Sequence, residues 1–388
     1  MIPINKPLLG FDEKNEILSV LDDGILTSAA KDGGKRVRDF EFELRNFLKV
    51  NHVIAVNSGT AALYAALLAA DIKKDDEILL PSFTFVATAN SVAALGARPV
   101  FVDINMQDYT LDISDLKSKI TNKSKAIIPV HIYGHPSDMD EIIEIANKHS
   151  LDVIEDACQS VGSTYKQKQT GTIGLMGCFS MYASKVLTCG EGGAIATNSN
   201  DIAEKLKMIR NHGMVEGYDT RVFGLNLRLP ELSAAIAKVQ TKNLYAMLSA
   251  RRRNAELLSK ALDDASEKSK IKIKIKLPSE SENKRFNWYL YTVAFEDNST
   301  RDNAKRKMIE KGIGATVYYD PPVHQTPYYS QISEELSYKN NEKNKKKNNG
   351  RNLAKTEQSS RLVLSLPVHP LVKEQDIENM GNIIKEIG

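Results

Sequence analysis

A lysine and a carboxylate, each set just past a short apolar run, are the residues here best placed to do chemistry. Cys178-Phe179-Ser180-Met181-Tyr182-Ala183-Ser184-Lys185 reads as a strand that delivers a hydroxyl and then an amine, and Gly190-Glu191-Gly192-Gly193 with a second apolar run, Ala194 to Thr197, follows. An amine on the rim between two core segments is partly desolvated. Desolvation disfavours its charged form and makes it a nucleophile of the Schiff-base kind. A solvated surface lysine is the alternative on these residues alone. Asp156 follows directly on Val153-Ile154-Glu155. A carboxylate at the mouth of a buried strand needs a cationic or N–H partner, such as a protonated ring nitrogen, or it carries a large desolvation cost. A helix-capping acid is the plainer alternative. Gln159, three residues on, has an amide to give to a nearby oxygen.

Asn57-Ser58-Gly59-Thr60 lies between a strand-like and a helix-like stretch. Free amides at a helix start, with hydroxyls beside them, make a seat for phosphate. An ordinary serine or threonine cap is the alternative. No glycine-lysine-serine/threonine closes a glycine loop, so the nucleotide triphosphate pattern is absent. Gly171, Gly174 and Gly177 precede a strand instead of following one, which does not match the dinucleotide fingerprint. His131 and His135 are four apart, but Gly134 and Pro136 speak against the helix that would turn both toward a metal. They read as part of a loop beside a crevice, and no metal is expected.

The elements that must position these groups alternate. Strands are expected at 53–56, 77–80, 99–102, 126–130 and 151–155. Helices are expected at 60–70, 84–95, 114–120 and 137–149, after two amphipathic helices at 11–23 and 38–49. Short apolar strands alternating with helices give an α/β fold, a mainly parallel sheet covered on both faces, with ligands bound at the carboxyl ends of its strands. A helical pattern from Leu232 to about Asp263 connects to a second unit. That unit has strands at 271–275, 289–295 and 362–366 and helices near 301–311 and 372–386. The expected division is a large domain over 1–245 and a small one over 246–388. Inside the latter a lysine- and asparagine-rich run at about 338–350 cannot bury a core and is expected to be a mobile loop.

The 388 residues are 42% hydrophobic and 26% charged, with a net charge of +3 that owes much to the lysines at 343–347. That balance makes no case for nucleic acid or a membrane surface. No apolar run approaches the roughly 18 residues of a membrane span, and the N-terminus lacks the apolar core of a signal peptide. Cys158, Cys178 and Cys189 show no close-pair spacing and read as reduced thiols of a cytoplasmic protein.

Taken in order, a set of motifs across nearly the whole chain resembles the DegT/DnrJ/EryC1/StrS sugar aminotransferases. These enzymes depend on pyridoxal 5'-phosphate (PLP) and share the aspartate-aminotransferase-like fold type I. The motifs are Asn57-Ser58-Gly59-Thr60-Ala61-Ala62-Leu63, Pro81-Ser82-Phe83-Thr84-Phe85-Val86-Ala87-Thr88, His131-Ile132-Tyr133-Gly134 and Glu155-Asp156-Ala157-Cys158-Gln159. They continue with Phe179-Ser180, Lys185 with Gly190-Glu191-Gly192-Gly193, Gly224-Leu225-Asn226-Leu227-Arg228 and Pro367-Val368-His369-Pro370. The resemblance implies that Lys185 holds PLP covalently and later shuttles a proton, and that Asp156 keeps the pyridine nitrogen protonated. It implies that Gln159 bonds the phenolic oxygen, Phe85 stacks on the ring, and Gly59, Thr60 and Ser180 hold the phosphate. Asn226, with Arg228, would reach the partner subunit's cofactor in a homodimer, and His324 would lie near the substrate. The substrate would be a nucleotide-linked keto sugar and the donor L-glutamate.

Cys189 stands where the family usually has threonine before the glycine, and Val186-Leu187 where asparagine is usual, so tuning of the site is expected there. Lys185 argues against the subgroup of sugar dehydratases, which carry histidine at that position. A PLP-binding regulator without catalysis, and another PLP reaction on the same fold such as dehydration or desulfuration, stay open as alternatives. His131-Ile132-Tyr133-Gly134-His135-Pro136 leans by resemblance toward the perosamine-like 4-amino branch. The sugar, the nucleotide and the carbon aminated are not fixed by the sequence.

Overall fold

The computed structural model describes residues 1–268, 274–331 and 353–387. The chain opens with α1 (Phe11–Asp23), α2 (Lys35–Leu48), β1 (His52–Val56), α3 (Gly59–Ala69), β2 (Glu77–Pro81), α4 (Val86–Ala93), β3 (Arg98–Val102), α5 (Ile113–Lys119), β4 (Ser124–Ile127), α6 (Met139–His149) and β5 (Asp152–Asp156). Two short strands, β6 (Thr164–Tyr165) and β7 (Lys168–Gln169), precede β8 (Met176–Ser180), β9 (Gly193–Thr197), α7 (Asn200–Ile209), α8 (Glu231–Lys242) and α9 (Leu244–Lys268). The rest comprises β10 (Ile275–Lys276), β11 (Lys284–Arg285), β12 (Tyr291–Phe295), α10 (Asn298–Glu310), α11 (Ala354–Leu362), β13 (Val363–Leu366) and α12 (Glu374–Ile387).

The seven-stranded sheet runs β1-β9-β8-β5-β4-β2-β3. Most of its strands are largely apolar because both faces are covered. In β1, β2, β5 and β8 all residues but one are buried, and in β9 all of them are. The alanine–leucine helix α3 lies on one face. Beside the sheet, α2 turns Val37, Phe40, Leu44, Phe47 and Leu48 inward at helical spacing. That helix starts three residues earlier than the sequence pattern suggests and ends at Lys49, which adopts the left-handed cap.

Neighbours from β3 to β8 pair in parallel, whereas β9 runs antiparallel to both β8 and β1. The reason is local. No helix intervenes between β8 and β9, and Ser180 pairs with Gly193, so the chain turns back at the end it has just left. Residues 181–192 therefore loop over the carboxyl end of β8.

The helical pattern after Leu232 is two helices, broken at Asn243. Beyond it β10, β12 and β13 form an antiparallel sheet around a core that includes Leu258, Leu262, Tyr291, Leu364, Met380 and Ile384. The strand expected at 271–275 is seen only as β10, since 271–273 fall outside the described residues, as does the run at 338–350. Among the described residues no helix is long and apolar enough to cross a membrane.

Two histidines are buried neutral. His135 stacks on Phe286 with ring centroids 4.0 Å apart and donates from Nδ1 to the Asp108 carbonyl at 3.2 Å. His369 donates from Nε2 to the Pro3 carbonyl at 3.1 Å. Burial lowers both to about 4, below the usual value of about 6.5. The unfolded chain thus binds protons that the folded one refuses. Their contribution to stability is complete above about pH 6.5 and is lost as pH falls toward about 4, on the order of 1–3 kcal/mol for each. Urea melts across this range should show the midpoint falling with pH, and His369→Gln should flatten the slope. A flat wild-type profile would contradict this account.

Candidate active site

Three strand ends converge because Gly193 pairs with Val56 on one side and Ser180 on the other. A side chain on Gly193 would put Cβ 2.2 Å from the Ser58 carbonyl oxygen, and one on Gly59 would put it 2.7 Å from Cβ of Ser180 and 3.0 Å from Sγ of Cys158. Only glycine lets the start of α3 sit this close to β8. Ser58 caps that helix. Its Oγ accepts from the Ala61 amide at 3.0 Å and its carbonyl from Ala62 at 3.0 Å. The first amides of a helix have no acceptor within it, and here they belong to Gly59, packed against Ser180, and to the exposed Thr60. This is a seat for an anion.

One strand over, Asp156 ends β5 opposite Cys178 of β8. Its Oδ2 accepts from Thr88 Oγ1 at 2.8 Å and its Oδ1 from the Cys158 amide at 3.1 Å. Both oxygens are oriented, yet each keeps acceptor capacity. Burial, and then the Asp156 carboxylate, push the Cys158 thiol well up, so it stays neutral. Gln159 has its Oε1 on the Tyr133 amide at 2.8 Å, which turns Nε2 toward the Tyr319 hydroxyl at 3.0 Å. Burial drives the Tyr319 phenol well above its ordinary value. Phe85 sits at the head of α4 with 57% of its surface exposed, its ring centroid 6.3 Å from that of Tyr319.

Lys185 lies on the loop between β8 and β9, with its amide bonded to the Tyr182 carbonyl at 2.8 Å and its Nζ 4.5 Å from the centroid of the Tyr289 ring. Thr188 Oγ1 donates to the Met181 carbonyl at 3.2 Å and accepts from the Gly190 amide at 3.2 Å. A hydroxyl thus still braces the turn, one residue before Cys189.

The profile of the DegT/DnrJ/EryC1/StrS aminotransferase family matches residues 11–385. The chain belongs to this family. Among relatives of this aminotransferase, a "Pleiotropic regulatory protein" of Geobacillus stearothermophilus is 34% identical over 389 residues, 99% of this chain and 98% of the relative. GDP-perosamine synthase of Caulobacter vibrioides is 34% identical over 336 residues, 86% and 88% of the two chains. The crystal structure of S. venezuelae DesV matches with a TM-score of 0.85 at 31% identity, covering 99% of this chain and 98% of that one.

Other expected site residues of the aminotransferase make contacts within this chain. Asn226 is exposed, and its carbonyl accepts from Asn57 Nδ2 at 3.4 Å. Arg228 donates to Asn211 Oδ1 at 2.7 Å. His324 has both ring nitrogens engaged, Nδ1 with Ser82 Oγ at 2.7 Å and Nε2 with Glu357 Oε1 at 3.3 Å. His131 and His135 flank the short turn Ile132–Gly134 and do not share a longer helix, in keeping with the expected loop. Both are buried, His131 against Glu155 at 2.9 Å, so neither imidazole is available to a sugar.

Sequence reasoning missed Thr88, Tyr133, Tyr289 and Tyr319. Thr88 had a signal, a hydroxyl one helical turn beyond Thr84 in a motif already singled out. Tyr133 likewise lay in a motif already singled out, whereas Tyr289 and Tyr319 had no signal. Thr88→Val keeps the shape and deletes the donor to Asp156. The aminotransferase should lose about 1.5–3 kcal/mol of stability, measured by urea denaturation, and an unchanged midpoint would remove Thr88 from this account.

Proposed function

We propose that the protein is a PLP-dependent transaminase that moves an amino group from L-glutamate to a nucleotide-linked keto sugar. The observation that carries it is the convergence of an anion seat, an oriented carboxylate and a loop lysine at adjacent strand ends. These suit PLP on grounds of donor chemistry. The Gly59 and Thr60 amides with Ser180 would take the phosphate. Asp156 would keep a pyridine nitrogen protonated, Gln159 would bond the phenolic oxygen, and Phe85 would cover the ring. When bound, PLP supplies an aldehyde for the lysine amine or the donor amine and an electron-withdrawing ring. Lys185, once displaced by the donor, would take the proton from the donor's α-carbon and return one to the sugar carbon. The exposed Asn226 and the half-buried Arg228 would reach the site of the other subunit in a homodimer. His324 would meet the sugar nucleotide only by giving up Ser82 or Glu357.

The nucleotide-sugar reading is supported by the relative named GDP-perosamine synthase. The relative named as a regulator keeps a second reading in view, a PLP-binding protein without turnover, and the same assay separates the two. Borohydride treatment of purified protein should fix the cofactor's mass on the Lys185 peptide. Lys185→Ala should abolish that adduct and lower transamination by about 10^3-fold or more. A panel of keto sugar nucleotides with L-glutamate, read by product mass, should give an amino sugar. An unlabelled Lys185 peptide would sink the reading, and labelling without turnover on any substrate would favour the regulator.

A further inference from the structure

We propose that Tyr289 is a positioning residue for the Lys185 amine, its ring face holding the ammonium while the amine is free of covalent attachment. The inference rests on the assignment of Lys185 above. Nζ of Lys185 lies 4.5 Å from the ring centroid, well inside the ~6 Å over which a cation is drawn to an aromatic face. The ring is 6% exposed, and such contacts are strongest when desolvated. The Tyr289 hydroxyl lies 3.3 Å from Oγ of Ser184, the residue before the lysine.

The ring is held in place from several sides. The Tyr289 amide donates to Asn287 Oδ1 at 2.9 Å, and its carbonyl accepts from Arg251 Nη1 at 3.3 Å and Asn5 Nδ2 at 3.4 Å. Trp288, immediately before it, has φ of 54°, a left-handed backbone that a bulky residue rarely adopts. Such outliers persist where surrounding contacts over-determine them, and they gather at functional sites. Here the outlier sets the direction of the residue that meets the lysine.

The chemistry gives the contact its use. As the amine takes the α-proton, an N–H bond would form and the donor's C–H bond would break, its electron pair staying on the carbon, where bound PLP would supply an electron-withdrawing ring. The amine is then an ammonium until it delivers a proton to the next carbon. A carboxylate partner would hold that proton tightly. An aromatic face attracts the cation more weakly and offers no base to take the proton, so it positions the ammonium without trapping it.

The test uses holoenzyme with Tyr289→Phe, which keeps the ring, and Tyr289→Leu, which removes it. Borohydride labelling of Lys185 in the wild type is read first. If it fails, the assignment of Lys185 fails and this proposal falls with it. The single-turnover rate with L-glutamate, followed by cofactor absorbance, then reads the proposal itself. Tyr289→Phe should stay within about threefold of wild type and Tyr289→Leu should slow about tenfold, with KM and cofactor affinity little changed. A merely structural role would move stability and cofactor affinity instead. A wild-type rate in Tyr289→Leu, or an equal loss in both variants, would overturn the proposal. Should Tyr289→Leu not fold, pentafluorophenylalanine at 289 keeps the size and reverses the charge of the ring face. It should slow the step as Leu would, and a rate equal to that of Tyr289→Phe would overturn the idea.

Discussion

A carboxylate with no exposed surface decides how the middle of the sheet is arranged. Glu155 lies inside the protein, where an unpaired charge would cost several kcal/mol. Its Oε1 accepts from the Ile173 amide at 2.6 Å and the Gly174 amide at 2.7 Å, and its Oε2 from the Gly171 amide at 2.7 Å and His131 Nε2 at 2.9 Å. Nδ1 of His131 accepts from the Ser137 amide at 3.0 Å, so the ring proton sits on Nε2 and points at Glu155. Successive side chains of a strand face opposite ways. Satisfying Glu155 on one side therefore fixes Asp156 on the other. The backbone repeats the lock, with the His131 amide on the Asp156 carbonyl at 3.1 Å and the Asp156 amide on the Pro129 carbonyl at 2.9 Å.

The same constraint explains the glycines at 171, 174 and 177. A Cβ on Gly177 would lie 2.0 Å from the Gly171 carbonyl oxygen, and one on Gly174 would lie 2.5 Å from the Val153 carbonyl oxygen. The loop must lay its bare backbone on β5 and β8 for its amides to reach Glu155. The spacing that failed as a nucleotide fingerprint is thus a wrapping requirement. From sequence, Glu155 looked like the last residue of a strand before the interesting acid, and nothing local revealed that its partners lie up to 24 residues away.

What was legible follows from locality. The strand ends, the capped start of α3, Asp156 and Lys185 were all visible because each is set by its own neighbours in the chain, and strands paired in parallel bring such ends to one edge. The reversed strand β9 was not, since an apolar run of five looks the same in either direction. Thr88 reaches Asp156 across 68 residues and Tyr319 reaches Gln159 across 160. Contacts of that separation are products of the fold and leave no period in the sequence. The loop at 131–136 was legible from Gly134 and Pro136, but its inward direction was not. Tyr133 takes φ of 60°, and both imidazoles are buried.

The aromatic side of the site is set by bonds made elsewhere. The Ser82 hydroxyl accepts from the His324 amide at 3.0 Å, so its own hydrogen is free for His324 Nδ1. That leaves Nε2 to donate to Glu357. Burial lowers the imidazole's affinity for a second proton, so the ring is held neutral in one tautomer with both nitrogens in use. Five residues on, the Tyr329 hydroxyl donates to Asn90 Oδ1 on α4 at 2.7 Å. The segment between Thr316 and Tyr329 is in this way tied to the end of β2 and to α4, and it carries Tyr319 to Gln159. His324, which the resemblance puts near the substrate, also fastens this segment through Ser82 and Glu357. The residue it helps place, Tyr319, then touches the amide that faces the site. Chemistry at the strand ends thus depends on packing supplied by a stretch of chain that carries no strand of the main sheet.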